Sequence, residues 1–212
     1  MTAGPVAPEG ARPRAPKTEG PVVPGTAGAL VRKAGPEEVA ALTDLLRASV
    51  LGLGAVEYSP RQLASALTHI FGVDTRLIED GTYFVVEEEG RAVACGGWSR
   101  RRTLYGGDQF AGRSDDWLDP AADPARIRAF FVHPDRARRG YGRLLLEFCE
   151  AAARAEGFES LELMATLSGV PLYERCGYSR EESVEIELPD GVSFPLIRMS
   201  KTLKRTAPTG GS

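Results

Sequence analysis

Hydrophobic and polar positions change period several times along the chain, and each change marks an element. In PEEVAALTDLLRASVLG (36–52), Val39, Leu42, Leu45, Leu46 and Val50 fall on one helical stripe behind Pro36, and Gly52 and Gly54 are expected to break that helix. RQLASALTHIFG (61–72), after Pro60, predicts a second, shorter helix. ALVRKA (29–34) predicts a short strand. TYFVVEE (82–88) and RAVACGGWSR (91–100) predict two more, joined by a tight hairpin at Glu89 and Gly90.

RIRAFFVHP (126–134) has almost no polar residue after Arg128, which suits a central strand covered on both faces. GYGRLLLEFCEAAARAEG (140–157) places Tyr141, Leu144, Leu145, Phe148, Ala152 and Ala155 on one helix face, with Gly157 as the stop. SLELMA (160–165) predicts a strand. SGVPLYERCG (168–177) predicts a short helix with Ser168 as N-cap and Gly177 as its end. YSREESVEIEL (178–188) and VSFPLIRMSK (192–201) predict a hairpin across Pro189, Asp190 and Gly191. The long segment 103–124, rich in Gly, Asp and Pro, predicts a surface loop of the kind that often carries function. No internal repeat is present. The order predicts a mixed α/β (α+β) domain over 29–203 with one strand–helix–strand unit near the C-terminus.

The flanks differ in kind. Residues 1–28 hold six of the fifteen prolines and no Leu, Ile, Phe, Tyr or Trp, too little apolar surface to offset the entropy of ordering. They are expected to form a disordered tail, with a second flexible tail over 204–212. The net charge of −3 gives no overall basic balance for nucleic acid, so any basic patch has to be local. No apolar run reaches membrane length, and residues 1–20 lack the apolar core of a secretory signal. The three cysteines, Cys95, Cys149 and Cys176, are far apart and show no metal-ligand spacing. Reduced thiols, no metal, no nucleic acid, no membrane and a cytoplasmic location are the expectation.

One stretch concentrates the chemistry: HPDRARRGYGRLLLEF (133–148). A buried strand runs through a basic loop into a helix whose first N–H groups have no intrahelical partner and carry the positive end of its dipole. Gly140 and Gly142 let an anion approach the backbone, and Arg136, Arg138, Arg139 and Arg143 add charge. These residues describe a pyrophosphate site. It is not a P-loop, since GxxxxGK[ST] is absent, nor the dinucleotide fingerprint, since GYGRLL lacks the third glycine. The alternative is a helix that merely begins with flexible, charged residues.

FFVHPDRARRGYGRLLLEF resembles the acetyl-CoA motif of the GCN5-related N-acetyltransferases (GNAT): Val132 and Pro134 match its V-x-P, and Gly140 and Gly142 match its glycines. Ala137 stands where that family usually places Arg or Gln, so backbone amides have to do most of the binding. SGVPLYERCGY (168–178) resembles the family's later motif, with Tyr173, Gly177 and Tyr178 in place and the frequent upstream Asn missing. The resemblance implies a GNAT fold, a mixed, mostly antiparallel sheet that splays open between strands 126–132 and 160–165, flanked by helices. Acetyl-CoA, as cosubstrate, is implied to lie in that gap. Its pantetheine arm would pair with the backbone at Phe131 and Val132, and its pyrophosphate would meet Arg138, Arg139, Gly140, Tyr141, Gly142 and Arg143. The implied activity is direct acetyl transfer to a primary amine, on a small molecule or a protein, in a ternary complex, by a monomer or homodimer. Tyr173 is the implied catalytic acid, and a backbone N–H near Val132 the oxyanion donor. The competing readings are a non-catalytic acyl-CoA sensor on the same fold and a nucleotide-binding scaffold.

Other candidates are less defined. No general base stands out among His69, His133, Glu57, Glu79 and the acids of 103–124. Arg100, Arg101 and Arg102 either attract an anion or are a solvated hairpin end. Tyr58, Trp98, Tyr105 and Trp117 either shape an acceptor pocket or serve as anchors. Cys149 is not expected to act as a nucleophile, and Cys95 and Cys176 are expected to pack as small apolar groups.

Overall fold

The computed structural model describes residues 26 and 28–203. The tails assigned to 1–28 and 204–212 lie outside these, apart from Thr26 and Gly28; Thr26 is buried and its carbonyl accepts from the Ala29 N–H.

Seven strands form one sheet: β1 (Leu30–Lys33), β2 (Tyr83–Glu88), β3 (Arg91–Ser99), β4 (Ala125–Val132), β5 (Ser160–Thr166), β6 (Ser179–Glu187) and β7 (Ser193–Thr202), ordered β1-β2-β3-β4-β5-β7-β6. Five helices flank it: α1 (Val39–Gly54), α2 (Pro60–His69), α3 (Thr75–Glu79), α4 (Tyr141–Ala155) and α5 (Val170–Arg175). Every neighbouring pair is antiparallel except β4 and β5, which run parallel across the α4 crossover. One core lies between α4 and the sheet, built on Trp98, Ile127, Leu145 and Leu161. A second lies under α1 and α2, built on Leu42, Leu46, Val85 and Phe131. Residues of β4 enter both, as expected for a strand covered on two faces.

The β4–β5 ladder is short. It pairs only Ala125 with Leu161 and Arg126 with Glu162, whereas β4 follows β3 to Val132 and β5 follows β7 to Thr166. The two strands therefore part beyond Arg126. At the closed end the Arg126 guanidinium donates to the Glu162 carboxylate, which Arg198 also reaches at 3.2 Å. On its other edge β4 carries a bulge: the register with β3 shifts, Ala129 adopts φ 54°, and the Tyr83 hydroxyl donates to its carbonyl (3.2 Å).

The hairpin turn at Glu89 and Gly90 forms with both residues at positive φ. Ser59 caps α2 as part of a capping box with Gln62, behind Pro60. Two expectations need correction, and one helix was not expected. α1 runs through Gly52 and ends only at Gly54. Gly52 is needed for contact, since a Cβ there would lie 2.9 Å from the Pro134 side chain. The N-cap of α5 is Gly169, and it is the Thr166 hydroxyl that accepts from its N–H (3.2 Å) while Ser168 only faces Thr166. α3 has five residues, too few for a periodic signal, and sequence alone does not reveal it.

Tyr58, between α1 and α2, ties the two arms of the fold together. Its hydroxyl donates to the Pro195 carbonyl and accepts from the Leu167 N–H, both at 2.8 Å, and its ring stacks on Phe194. Burial pushes its phenol up to about 12, against the opposing pull of the Leu167 N–H. Tyr58→Phe strands a donor just past the end of β5 and an acceptor in β7, so it is expected to cost about 2 kcal/mol. Thermal denaturation should show a fall in Tm of roughly 4–8 °C.

Candidate active site

The parting of β4 and β5 opens a cleft of 590 Å³. One wall is the end of β4 (Phe130, Phe131, Val132) with the turn into α4; the other is the end of β5 and α5; the last turns of α1 close the remaining side. Of the sequence-predicted binding residues, Phe131, Val132, Arg138, Gly140, Tyr141, Gly142 and Arg143 line it. Arg139 does not: it is exposed and absent from the lining.

The turn into α4 is built from unusual backbone. Arg138 sits at φ 64° and Gly140, the N-cap, at φ 94°, where only glycine is unstrained. The N–H groups of residues 138–143 donate to no acceptor among the described residues; Leu144 is the first to bond, onto the Gly140 carbonyl (2.9 Å). A run of free amides thus faces the cleft at a helix N-terminus. A Cβ at Gly142 would approach Leu172 to 3.1 Å, so this glycine lets α4 pack close to α5.

Charge in the lining is one-sided. Arg136, Arg138, Arg143 and Arg175 are its cations and Glu57 its one carboxylate. Arg136 is partly neutralised by Glu88 (2.9 Å), which also accepts from the Tyr141 hydroxyl. Arg143 pairs with Glu147 (2.7 Å) one turn along α4. Ala137 lines the cleft where a longer side chain would fill it.

Tyr173 lies on the β5–α5 wall, 8% exposed, edge-on to Tyr178. Its hydroxyl bonds to no described residue, and burial raises its pKa above the ordinary phenol value. It also lines a second, smaller cavity that adjoins the first; Phe71, Phe130, Phe131 and Thr166 are shared as well. The tyrosine therefore stands where the two spaces meet.

The Val132 N–H faces the gap. The next N–H, of His133, donates to Val93 on the β3 side (2.9 Å), so Val132 points the opposite way and meets the Ser49 hydroxyl at 3.2 Å. Ser49 was not singled out from sequence. It is a buried polar residue on the otherwise apolar stripe of α1, and that misplacement was the available signal.

Other candidates fall away from the cleft. His133 caps the turn after β4, accepting from the Asp135 N–H, and His69 lies 4.0 Å from Asp190 in the β6–β7 turn. Glu79 and the acids of 103–124 line neither cavity. Arg100 and Arg101, both half-buried, flank the exposed Trp117 ring and pair with Glu156 and Asp80, so they clamp the loop. Trp98 is core, while Tyr58 lines the first cavity and Tyr105 the second. Cys95 and Cys149 are fully buried, and burial pushes both thiols up, which removes them as nucleophiles. Cys176 is half-buried against the core and also lines the cleft.

Solved structures share this architecture. A GCN5-related N-acetyltransferase from Rhodopseudomonas palustris superposes with a TM-score of 0.62 at 21% identity, covering 87% of this chain and all of that one. The PaiA N-acetyltransferase of Thermoplasma acidophilum, solved with coenzyme A, gives 0.56 at 15%, with 82% and 98% covered. The YncA acetyltransferase of Salmonella typhimurium, described as putative and solved with acetyl-CoA, gives 0.55 at 18%, with 87% and 99% covered. No curated protein matches the chain. The family model described as the Acetyltransferase (GNAT) family matches residues 53–178, from the last turns of α1 to Tyr178 beside the cleft. More than half of the sequence lies in that match, and the chain belongs to the GNAT acetyltransferase family.

Proposed function

We propose that this acetyltransferase uses acetyl-CoA and passes the acetyl group directly to a primary amine while both substrates are bound. The observation that carries the reading is the run of free amides at residues 138–143, set at a helix N-terminus between arginines and opening on a cleft between two parted strands. Solved relatives of the same fold carry coenzyme A or acetyl-CoA. In this reading the pyrophosphate takes those amides, with Arg138 and Arg143 beside it. The pantetheine arm runs along Phe131 and Val132, whose cleft edge has no strand partner.

The chemistry needs a neutral amine, a donor for the developing oxyanion and a proton for the leaving thiolate. The amine nitrogen attacks the thioester carbonyl; the C–N bond forms, the C–S bond breaks, and the thiolate sulfur takes the Tyr173 proton. The proton lost by the amine leaves through water, for which Glu57 is the carboxylate in the lining. The Val132 N–H is the oxyanion donor, and Ser49 keeps it satisfied until the substrate oxygen displaces a long hydrogen bond. Holding both reactants in one cleft supplies much of the rate.

Thermal shift with acetyl-CoA, CoA and ATP tests the ligand: CoA species should raise Tm and ATP should not. Gly140→Pro cannot adopt φ 94° and should abolish acetyl-CoA binding, whereas Arg136→Ala, which removes a cation already paired with Glu88, should weaken it only several-fold. Intact affinity in Gly140→Pro would refute the cradle.

Tyr173→Phe should lower turnover by roughly 10²-fold with acetyl-CoA affinity kept, as measured by free-thiol release. Because the Tyr173 pKa is raised, its proton stays in place across the working range. The rate should climb as the acceptor amine deprotonates and show no descending limb below pH ~10. A fall beginning near neutrality would rule Tyr173 out as the acid.

A further inference from the structure

The second cavity has a composition of its own. It measures 70 Å³, room for roughly five water-sized groups. Ile70, Phe71, Tyr105 and Met164 line it beside the backbone of Gly106 and Gly107, and among the described residues it contains no carboxylate. The one charged residue among them is Arg128, whose side chain is 3% exposed.

A buried guanidinium normally has its donors satisfied. Arg128 spends Nη2 on the Gly106 carbonyl and on Asp74 (2.8 Å), while Nε and Nη1 bond to no acceptor among the described residues. Arg113 and Arg128 both lean on the fully buried Asp74, and Asp108, 41% exposed, pairs with Arg113. Arg128 is thus the buried cation of this cluster, and it shares its one direct carboxylate partner with Arg113. The wall is also fixed in place: the Gly107 N–H bonds the Ile70 carbonyl (2.8 Å), and Asp108 accepts from the Thr75 N–H (3.1 Å). A fixed cavity whose one lining cation among the described residues keeps unpaired guanidinium N–H groups suits a carboxylate.

We infer that this cavity is the acceptor site and that the acceptor is a small α-amino acid with an apolar side chain, its carboxylate read by Arg128 and its amine at the junction beside Tyr173. This rests on the acetyl-CoA reading of the adjoining cleft. The carboxylate and α-carbon are four heavy atoms, which the small space holds, while the amine stands at the junction and the side chain lies against the shared Phe71, Phe130 and Phe131, where the cavity opens on the larger cleft. No carboxylate among the described residues of the small cavity attracts a second ammonium, which disfavours polyamines.

The experiment is an acceptor series on the full chain, with acetyl-CoA binding measured in parallel. Leucine and phenylalanine are compared with their amides, with the decarboxylated amines 3-methylbutylamine and phenethylamine, and with spermidine, by free-thiol release. The amino acids should exceed every carboxylate-free amine by at least tenfold in kcat/KM. Arg128→Lys, which keeps the charge but loses the fork, should remove that preference through KM while leaving the Kd for acetyl-CoA unchanged. A decarboxylated amine or spermidine used equally well would overturn the inference, whatever the variant does. So would binding of acetyl-CoA with no transfer to either amino acid, a result that leaves the cleft reading standing. Failure of the wild-type chain to bind acetyl-CoA would take down both.

Discussion

Everything at this site depends on where the β4–β5 ladder stops. Two residue pairs hold these parallel strands together, and beyond Arg126 each follows its other neighbour instead. An unpaired strand edge inside a protein is costly unless its polar groups find partners. Here the cost is met by other groups. Ser49 takes the Val132 N–H, and the Tyr58 hydroxyl takes the Leu167 N–H. These partners of the gap edge come from α1 and from the α1–α2 connection, far from the strands in sequence.

The two ends of the gap differ in kind. On the α4 side it ends in backbone, free amides at a helix start, the kind of surface that suits an anion. On the α2–α3 side it ends in aromatic side chains and a buried ion cluster. Tyr173 and Phe131 belong to both spaces, so a group held in one lies within reach of a group held in the other. The long segment 103–124 contributes as a wall, tied down by Arg113, Arg101 and the backbone bonds at residues 107 and 108.

The local parts of this picture were legible in the sequence. The hairpin glycine, the helix start at Pro60 and the glycines at 140 and 142 act within a few residues of themselves, and local rules capture them. Tyr58 was not legible as a tie because its two partners lie 109 and 137 residues away. The Asp74–Arg113–Arg128 cluster was hidden for the same reason: charged residues read as surface until the fold brings opposite signs together. Gly52 was misjudged because a glycine in a helix carries the same letter whether it ends the helix or admits a neighbour. The Arg139 side chain faces away from the cleft lining, because consecutive residues in a tight turn point in different directions, and only its N–H belongs to the run of free amides.

A recognition surface made of main-chain amides stores its specificity in torsion angles. Ala137 illustrates this, for a methyl group lines the cleft where a long polar side chain would be expected. In such a loop the left-handed turns at 138 and 140 constrain the main chain more tightly than the side chain at 137 does, so a change that leaves the letters nearly intact but forbids those torsions does more damage than the loss of one side chain.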